Sequence, residues 1–65
     1  MTLAAIFGCA GTEIAADERA FYRETDPLGF ILFARNVADP DQMRRLTDAL
    51  RESVGRDDAP ILIDQ

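Results

Sequence analysis

Apolar residues recur at helical spacing in the second half of the chain, within the segment "ADPDQMRRLTDALRESVG". The apolar positions are Met43, Leu46, Leu50 and Val54, with Ala49 beside them. This spacing predicts a helix that packs one apolar stripe against a core. The charged positions between them are expected to face water, and they are Arg44, Arg45, Asp48, Arg51 and Glu52.

The ends of this helix are marked by residues with defined capping roles. Asp39 is the expected N-cap, Pro40 takes the first helical position, and Gln42 completes the spacing of a capping box. Gly55 ends the helix, because glycine readily adopts the left-handed conformation found after a helix. The sequence therefore predicts a helix over 40–54.

Two apolar runs flank this helix. Residues 28–34 lack polar alternation and are broken only by Gly29, which is typical of a strand buried on both faces. Residues 60–63 are a second short strand. A crossover of this length between two strands predicts a parallel, right-handed unit over 28–64, which requires further strands beside it.

The first half is less regular. Leu3 to Phe7 is predicted as a strand, and "GCAGT" as a turn that lacks the lysine and spacing of a Walker motif. "AADERAFYRET" predicts a short helix that stops at Asp26-Pro27. Ala15 is a poor cap for its start.

Length and composition limit the kinds of protein that the sequence can form. The 65 residues form one small domain at most, and a chain this short buries only about 60% of its unfolded surface. Cys9 is the single cysteine, so no intrachain disulfide can form, and we expect it to be a small buried hydrophobe. The chain has no histidine, so a zinc site would need carboxylates and one thiolate alone, and no metal site is expected.

The net charge of -5 argues against binding to nucleic acid or to anionic lipid. No apolar run approaches the length of a membrane span, and no basic residue precedes Arg19, as a signal peptide would require. We expect a soluble protein in the cytoplasm, without a nucleic-acid or membrane partner.

Candidate site residues follow the two strands of the parallel unit, because ligands bind at the carboxyl ends of strands in α/β folds. Arg35 and Asn36 follow the first strand, and Asp64 and Gln65 follow the second. Asp64 is the best candidate, since a carboxylate there can accept two hydrogen bonds from adjacent sugar or ribose hydroxyls. The alternative is that Asp64 caps the following turn.

Arg35 and Asn36 also have two interpretations, since they could bind a ligand or fix the loop after the strand by hydrogen bonds to the backbone. We favour the loop-fixing role for both. Arg35 is also expected to pair with an acid such as Asp64 and to hold that carboxylate ionised.

The order of "GFILFARN", the helix that begins "DPDQ", and "ILIDQ" resembles the start of the bacterial β-N-acetylhexosaminidases of glycoside hydrolase family 3. In that family the strand after this helix ends in Asp-Gln-Glu-Gly-Gly-Arg. The upstream segment "GTEIAADERAF" is similar to the family's first helix. The resemblance covers nearly all 65 residues. It implies that residues 1–65 are the N-terminal segment of a single α/β domain, a (β/α)8 TIM-type barrel.

The resemblance also implies a function for the whole enzyme. The family removes terminal N-acetylglucosamine from peptidoglycan-derived muropeptides in the cytoplasm, with retention at the anomeric carbon and without a cofactor. The implied substrate is an N-acetylglucosaminyl-anhydro-muramyl peptide, and the implied parent is monomeric. Of the family's functional positions only the aspartate that binds sugar hydroxyls maps onto this chain, at Asp64. Arg35, Asn36 and Gln65 are expected to support the site because of their places after the two strands. The nucleophile and the acid/base lie downstream, so residues 1–65 alone are expected to be inactive.

Two other functions are compatible with the pattern. A flavodoxin- or receiver-like binding module would also place an acid after a strand, as in "ILID", but it needs about five strands and an acidic pair near the first strand. A small interaction protein would associate through a bare sheet edge.

Overall fold

The structure, a computed structural model, describes residues 3–64. Along this range the chain alternates strands and helices. The elements are β1 (Leu3–Gly8), α1 (Ala16–Thr25), β2 (Pro27–Leu32), a 3-10 turn (Ala34–Asn36), α2 (Pro40–Val54) and β3 (Ile61–Ile63). Neither α-helix in this range is long and apolar enough to cross a membrane.

The three strands form one parallel sheet in the order β1-β2-β3. Phe30 of the central strand lies beside Phe7 on one side and beside Ile61 on the other. The parallel unit predicted over 28–64 is therefore present, and β1, α1 and β2 form an earlier unit of the same kind. In a flavodoxin-like sheet the strand order reverses after the first strand, and no such reversal occurs among the three described strands.

Helix α2 spans the predicted residues because its caps form as expected. The Asp39 carboxylate accepts a hydrogen bond from the Gln42 N–H at 2.8 Å, and Pro40 is the first helical residue. Gly55 ends the helix with a φ of 69°. The second bond of the predicted capping box does not form as expected. The Gln42 side chain accepts from the N–H of Ala38, whereas a capping box requires the N–H of Asp39, the N-cap residue.

Helix α1 begins without an N-cap side chain, and Glu18 performs that role from inside the helix. Its carboxylate accepts hydrogen bonds from the N–H of Ala15 at 2.9 Å and from the N–H of Ala10 at 3.0 Å. Asp26 ends the helix in the left-handed conformation, with a φ of 48°. The helix is thereby tied to the loop that precedes it.

Strand β2 is shorter at its carboxyl end than the predicted 28–34 and begins one residue earlier, at Pro27. It ends because the Phe33 N–H is bound by the side chain of Asn36, at 2.8 Å, and Asn36 donates its own N–H to Phe33. These bonds replace the sheet ladder with a 3-10 turn. The other strands differ from prediction by one residue, since β1 extends to Gly8 and β3 begins at Ile61.

The core lies between the helices and one face of the sheet. Its buried side chains come from both helices, from β2 and from the loop after β1, and they are Cys9, Tyr22, Phe30, Leu32, Leu46 and Leu50. Met43 and Val54 of the predicted stripe pack against this core from its border. The burial of Cys9, which is 3% exposed, confirms the role predicted for it as a small hydrophobe.

The other face of the sheet is open. Successive strand residues point to opposite faces, so Ile6, Ile31 and Leu62 lie on the face away from the helices. Ile6 is 38% and Leu62 is 52% exposed. One face of the sheet is thus covered by helices and the other presents apolar side chains to solvent.

Candidate functional site

The carboxyl ends of the three parallel strands meet at one edge of the sheet, which we call the carboxyl edge. It is formed by the loop after β1 (residues 9–15, here the first loop), the 3-10 turn after β2, and Asp64 after β3. These segments come from three separate parts of the chain. The carboxyl edge is the place where side chains from all of them can reach one ligand.

Asp64 continues the ladder of β3 by its backbone, since its N–H donates to the carbonyl oxygen of Leu32 at 2.8 Å. The alternation along the strand places its side chain on the same open face as Leu62. Asp64 is exposed, and its carboxylate has no hydrogen bond or ion pair within residues 3–64. The carboxylate is accessible to a ligand at the carboxyl edge, while Gln65, the predicted neighbour, lies outside the described residues.

The predicted pair between Arg35 and Asp64 is wrong. The Arg35 guanidinium lies over the ring of Phe33, 4.8 Å from its centroid, and its Nη2 donates to the Cys9 carbonyl oxygen at 3.4 Å. The reason is the early end of β2, because Arg35 belongs to the 3-10 turn and does not continue the strand beside Asp64. The guanidinium is directed toward the first loop.

Asn36 has the loop-fixing contacts that the sequence favoured for it. Its side chain is fully buried, and its Nδ2 donates to the carbonyl oxygens of Cys9, at 3.0 Å, and Gly11, at 2.7 Å. Its Oδ1 accepts from the N–H of Phe33. Asn36 therefore joins the turn after β2 to the first loop, about one strand-helix unit earlier in the chain.

Gln42 is a second buried amide in this connection, and the sequence showed only its capping role. Its Nε2 donates to the carbonyl oxygen of Thr12 at 2.6 Å and to that of Asn36 at 2.9 Å. The side chain is 8% exposed. No local pattern reveals these contacts, because Thr12 is 30 residues away in sequence.

The beginning of the first loop is held by Tyr22, whose hydroxyl donates to the carbonyl oxygen of Gly8 at 2.9 Å. Burial raises the pKa of the Tyr22 hydroxyl above its ordinary range, and the charge of Glu18 adds to this effect. Burial and the same carboxylate also raise the pKa of the Cys9 thiol. Both groups stay protonated at neutral pH, so the thiol is a poor nucleophile.

An open cavity of about 550 Å³ lies beside the edge of β1 that pairs with no other strand within residues 3–64, and Asp64 does not line it. It is lined by Phe7, Gly8, Asp17, Glu18, Phe21 and Tyr22. Two of its rings, those of Phe7 and Phe21, stack with 5.5 Å between centroids. The cavity lies at the outer edge of the sheet, and none of the predicted site residues lines it. We therefore place the candidate site at the carboxyl edge.

Comparison with known proteins confirms the resemblance to bacterial β-N-acetylhexosaminidases. The chain is 38% identical over 58 residues to a β-hexosaminidase of Xanthomonas axonopodis, an alignment that covers 89% of this chain and 16% of that protein. A β-hexosaminidase of Methylococcus capsulatus is 44% identical over 46 residues, which are 71% of this chain and 14% of the relative. A β-hexosaminidase of Alkalilimnicola ehrlichii is 37% identical over 60 residues, which are 92% of this chain and 17% of the relative.

The chain spans about one sixth of the length of these curated relatives. For the Xanthomonas axonopodis protein, the alignment covers 16% of its residues. No protein-family model matches the chain. The similarity extends over most of the described strands and helices.

Proposed function

We propose, from the similarity to bacterial β-hexosaminidases, that this chain is the N-terminal part of a retaining glycosidase. The whole enzyme removes terminal N-acetylglucosamine from peptidoglycan-derived muropeptides in the cytoplasm, as a monomer and without a cofactor. The observation that carries the proposal is the identity of 36% to 44% over most of this chain to proteins named β-hexosaminidase.

The arrangement of the sheet supports a barrel as the complete fold. Three parallel strands in sequence order, with both helices on one face, are what the first part of a (β/α)8 barrel requires. The apolar open face with Ile6 and Leu62 corresponds to the barrel interior, which side chains from the other strands fill. The first strands of a Rossmann sheet share this arrangement, so the choice of a barrel rests on the family resemblance.

In this proposal Asp64 binds the substrate. Its exposed carboxylate stands at the end of β3, where it can accept hydrogen bonds from two neighbouring sugar hydroxyls. Arg35 and Asn36 support the site by hydrogen bonds to the first loop, which follows β1 at the same edge of the sheet. Gln65 is proposed as a further supporting residue from its place in the sequence after Asp64. A carboxylate that binds hydroxyls fixes the position of the sugar but does not break the glycosidic bond.

The bond-breaking groups come from residues outside this chain. A retaining glycosidase uses two catalytic carboxyl groups that lie about 5 to 5.5 Å apart on either side of the glycosidic bond. In some enzymes a loop brings an equivalent of one of these groups to the bond. Asp64 is the acid that directly follows a strand at the carboxyl edge, and no second acid directly follows β1 or β2. Residues 1–65 alone are therefore inactive in this proposal.

The test compares the protein from the complete reading frame with a polypeptide of residues 1–65, at equal molar concentration. Both are incubated with an aryl N-acetyl-β-glucosaminide and with an N-acetylglucosaminyl-anhydro-muramyl peptide, and the released sugar is measured. We expect release by the complete protein alone, with the β-anomer formed first. Failure of the complete protein to release sugar, or release by residues 1–65, would contradict the proposal. Concentration-dependent oligomers without activity would favour the interaction protein.

A further inference from the structure

The first loop is held by hydrogen bonds from two buried side-chain amides of the next strand-helix unit. Asn36 binds the carbonyl oxygens of Cys9 and Gly11, and Gln42 binds that of Thr12. The two amides are themselves connected, because Gln42 also donates to the carbonyl oxygen of Asn36. Three carbonyl groups of one loop are thus bound by donors that are 25 to 30 residues away in sequence.

The orientation of each amide is fixed by its acceptor oxygen. Asn36 accepts from the N–H of Phe33 at 2.8 Å, and Gln42 accepts from the N–H of Ala38 at 2.8 Å. If either amide were rotated by half a turn, its NH₂ group would face an N–H and its oxygen would face carbonyl oxygens. The donors are therefore directed at the first loop in a single arrangement.

Two N–H groups of the first loop are bound by Glu18 of α1. The Glu18 carboxylate accepts from Ala10 and Ala15, so these two N–H groups are not available for an anion. With three carbonyls bound by Asn36 and Gln42 and two N–H groups bound by Glu18, the backbone of the loop is held through both its acceptors and its donors. A loop fixed in this way has a defined surface toward the carboxyl edge.

We propose that Asn36 and Gln42 are positioning residues, which hold the first loop as a rigid wall of the sugar site at the carboxyl edge. This inference rests on the proposed glycosidase function. Neither amide needs to touch the substrate, because each acts through the loop backbone. A shift of about 1 Å in a wall that orients the substrate can lower the rate about 100-fold, and loosening of the loop is expected to act in the same direction.

The thiol of Cys9 reports on the loop independently of activity. It is 3% exposed, and the Asn36 Nδ2 lies 3.5 Å from its sulfur. Release of the loop would expose the thiol to iodoacetamide, and peptide mapping by mass spectrometry measures the modification of Cys9 in the complete protein. The same preparations give kcat and KM with an aryl N-acetyl-β-glucosaminide.

The test variant is Asn36→Asp, which has nearly the same shape and can still accept from Phe33 but cannot donate to Cys9 and Gly11 when ionised. The control is Ser53→Ala, which removes a buried hydroxyl that donates to Leu50 at 2.6 Å within α2 and does not contact the loop. For Asn36→Asp we expect alkylation about 10-fold faster and kcat/KM about 10-fold lower, chiefly through kcat, because a loosened wall orients the substrate less well. Ser53→Ala should change neither.

If Asn36→Asp does not fold, Gln42→Glu provides the same test, since it removes the donor to Thr12 and keeps the acceptor for Ala38. Wild-type alkylation and wild-type kcat/KM in a folded variant would overturn the inference. Faster alkylation with unchanged kcat/KM would overturn it as well, because the loop would then be held for stability alone. An inactive wild-type protein would refute the glycosidase function, while the alkylation rates would still show whether the amides hold the loop.

Discussion

The carbonyl oxygen of Pro60 lies directly against Gly29, so closely that a Cβ built on Gly29 would overlap it. The carbonyl cannot move away easily, because it accepts the N–H of Phe30 at 2.9 Å as part of the sheet. The contact joins β2 to the residue before β3. Glycine is required here for close approach of two backbones and not for an unusual φ.

We therefore expect Gly29→Ala to lower the free energy of unfolding of the complete protein by about 1 to 3 kcal/mol, the cost of overpacking a tight site. Gly11→Ala is the matched control, since nothing lies within 4 Å of a Cβ built there. It should change stability by no more than about 0.5 kcal/mol. Urea unfolding of both variants measures the difference, and equal midpoints would contradict the prediction.

Arg56 holds the amino end of β2 from the loop that follows α2. Its guanidinium donates to the carbonyl oxygens of Pro27 and Leu28 and lies 3.3 Å from a carboxylate oxygen of Asp26. Removal of these bonds in Arg56→Met should lower the free energy of unfolding by about 1 to 3 kcal/mol. The side chain is 28% exposed, so solvent screening places the expected value in the lower half of that range.

Arg44→Met on the exposed face of α2 is the control for Arg56→Met, because it removes the same charge and replaces it with the same side chain. Thermal unfolding of the two variants at one salt concentration compares them. A melting temperature for Arg56→Met no lower than that for Arg44→Met would show that the three contacts contribute little to stability.

The binding role that we propose for Asp64 predicts a loss of activity without a loss of stability. If the complete protein is the proposed glycosidase, Asp64→Ala should lower its kcat/KM by about 10- to 150-fold, which corresponds to about 1.5 to 3 kcal/mol for hydrogen bonds to a charged group. Asp57→Ala is the control, since Asp57 is exposed in the loop at the opposite edge of the sheet. Equal kcat/KM values for Asp64→Ala and the wild type, measured with an aryl N-acetyl-β-glucosaminide, would refute the assignment.

The raised pKa values of Cys9 and Tyr22 predict a loss of stability in alkaline solution. Burial, with a smaller effect of Glu18, raises the pKa of the Cys9 thiol above 9.0 and that of the Tyr22 hydroxyl above 10.0. Above these values the unfolded chain has lost protons that the folded chain retains. The unfolded state then binds fewer protons, so the free energy of unfolding falls as pH rises.

This stabilisation is therefore complete below pH 9.0 and decreases progressively above it. Cys9→Ala removes the contribution of the thiol and should shift the onset of the loss upward, toward the ordinary tyrosine value of 10.0. Urea midpoints measured from pH 8 to pH 11, at constant ionic strength, give both curves. An onset at the same pH in Cys9→Ala and the wild type would contradict the role of the thiol.

Local signals in the sequence were sufficient to predict the helices and the approximate strands. Asp39 and Gly55 define α2 because a capping side chain and a left-handed glycine act on the nearest turn of the backbone. The apolar runs at 28–34 and 60–63 predicted adjacent parallel strands, and the structure confirms that pairing. The position of Asp64 at the end of β3 follows from the same local pattern.

Tertiary structure decided how the carboxyl edge is assembled. The sequence could not place Gln42 against Thr12, and it wrongly paired Arg35 with Asp64. Helix caps and apolar periodicity act over a few residues, whereas a buried amide binds whichever carbonyl the packed helices and sheet bring within about 3 Å of it. The sequence by itself therefore determined the elements and their order, and the packing of α1 and α2 on one face determined which loop the two amides hold.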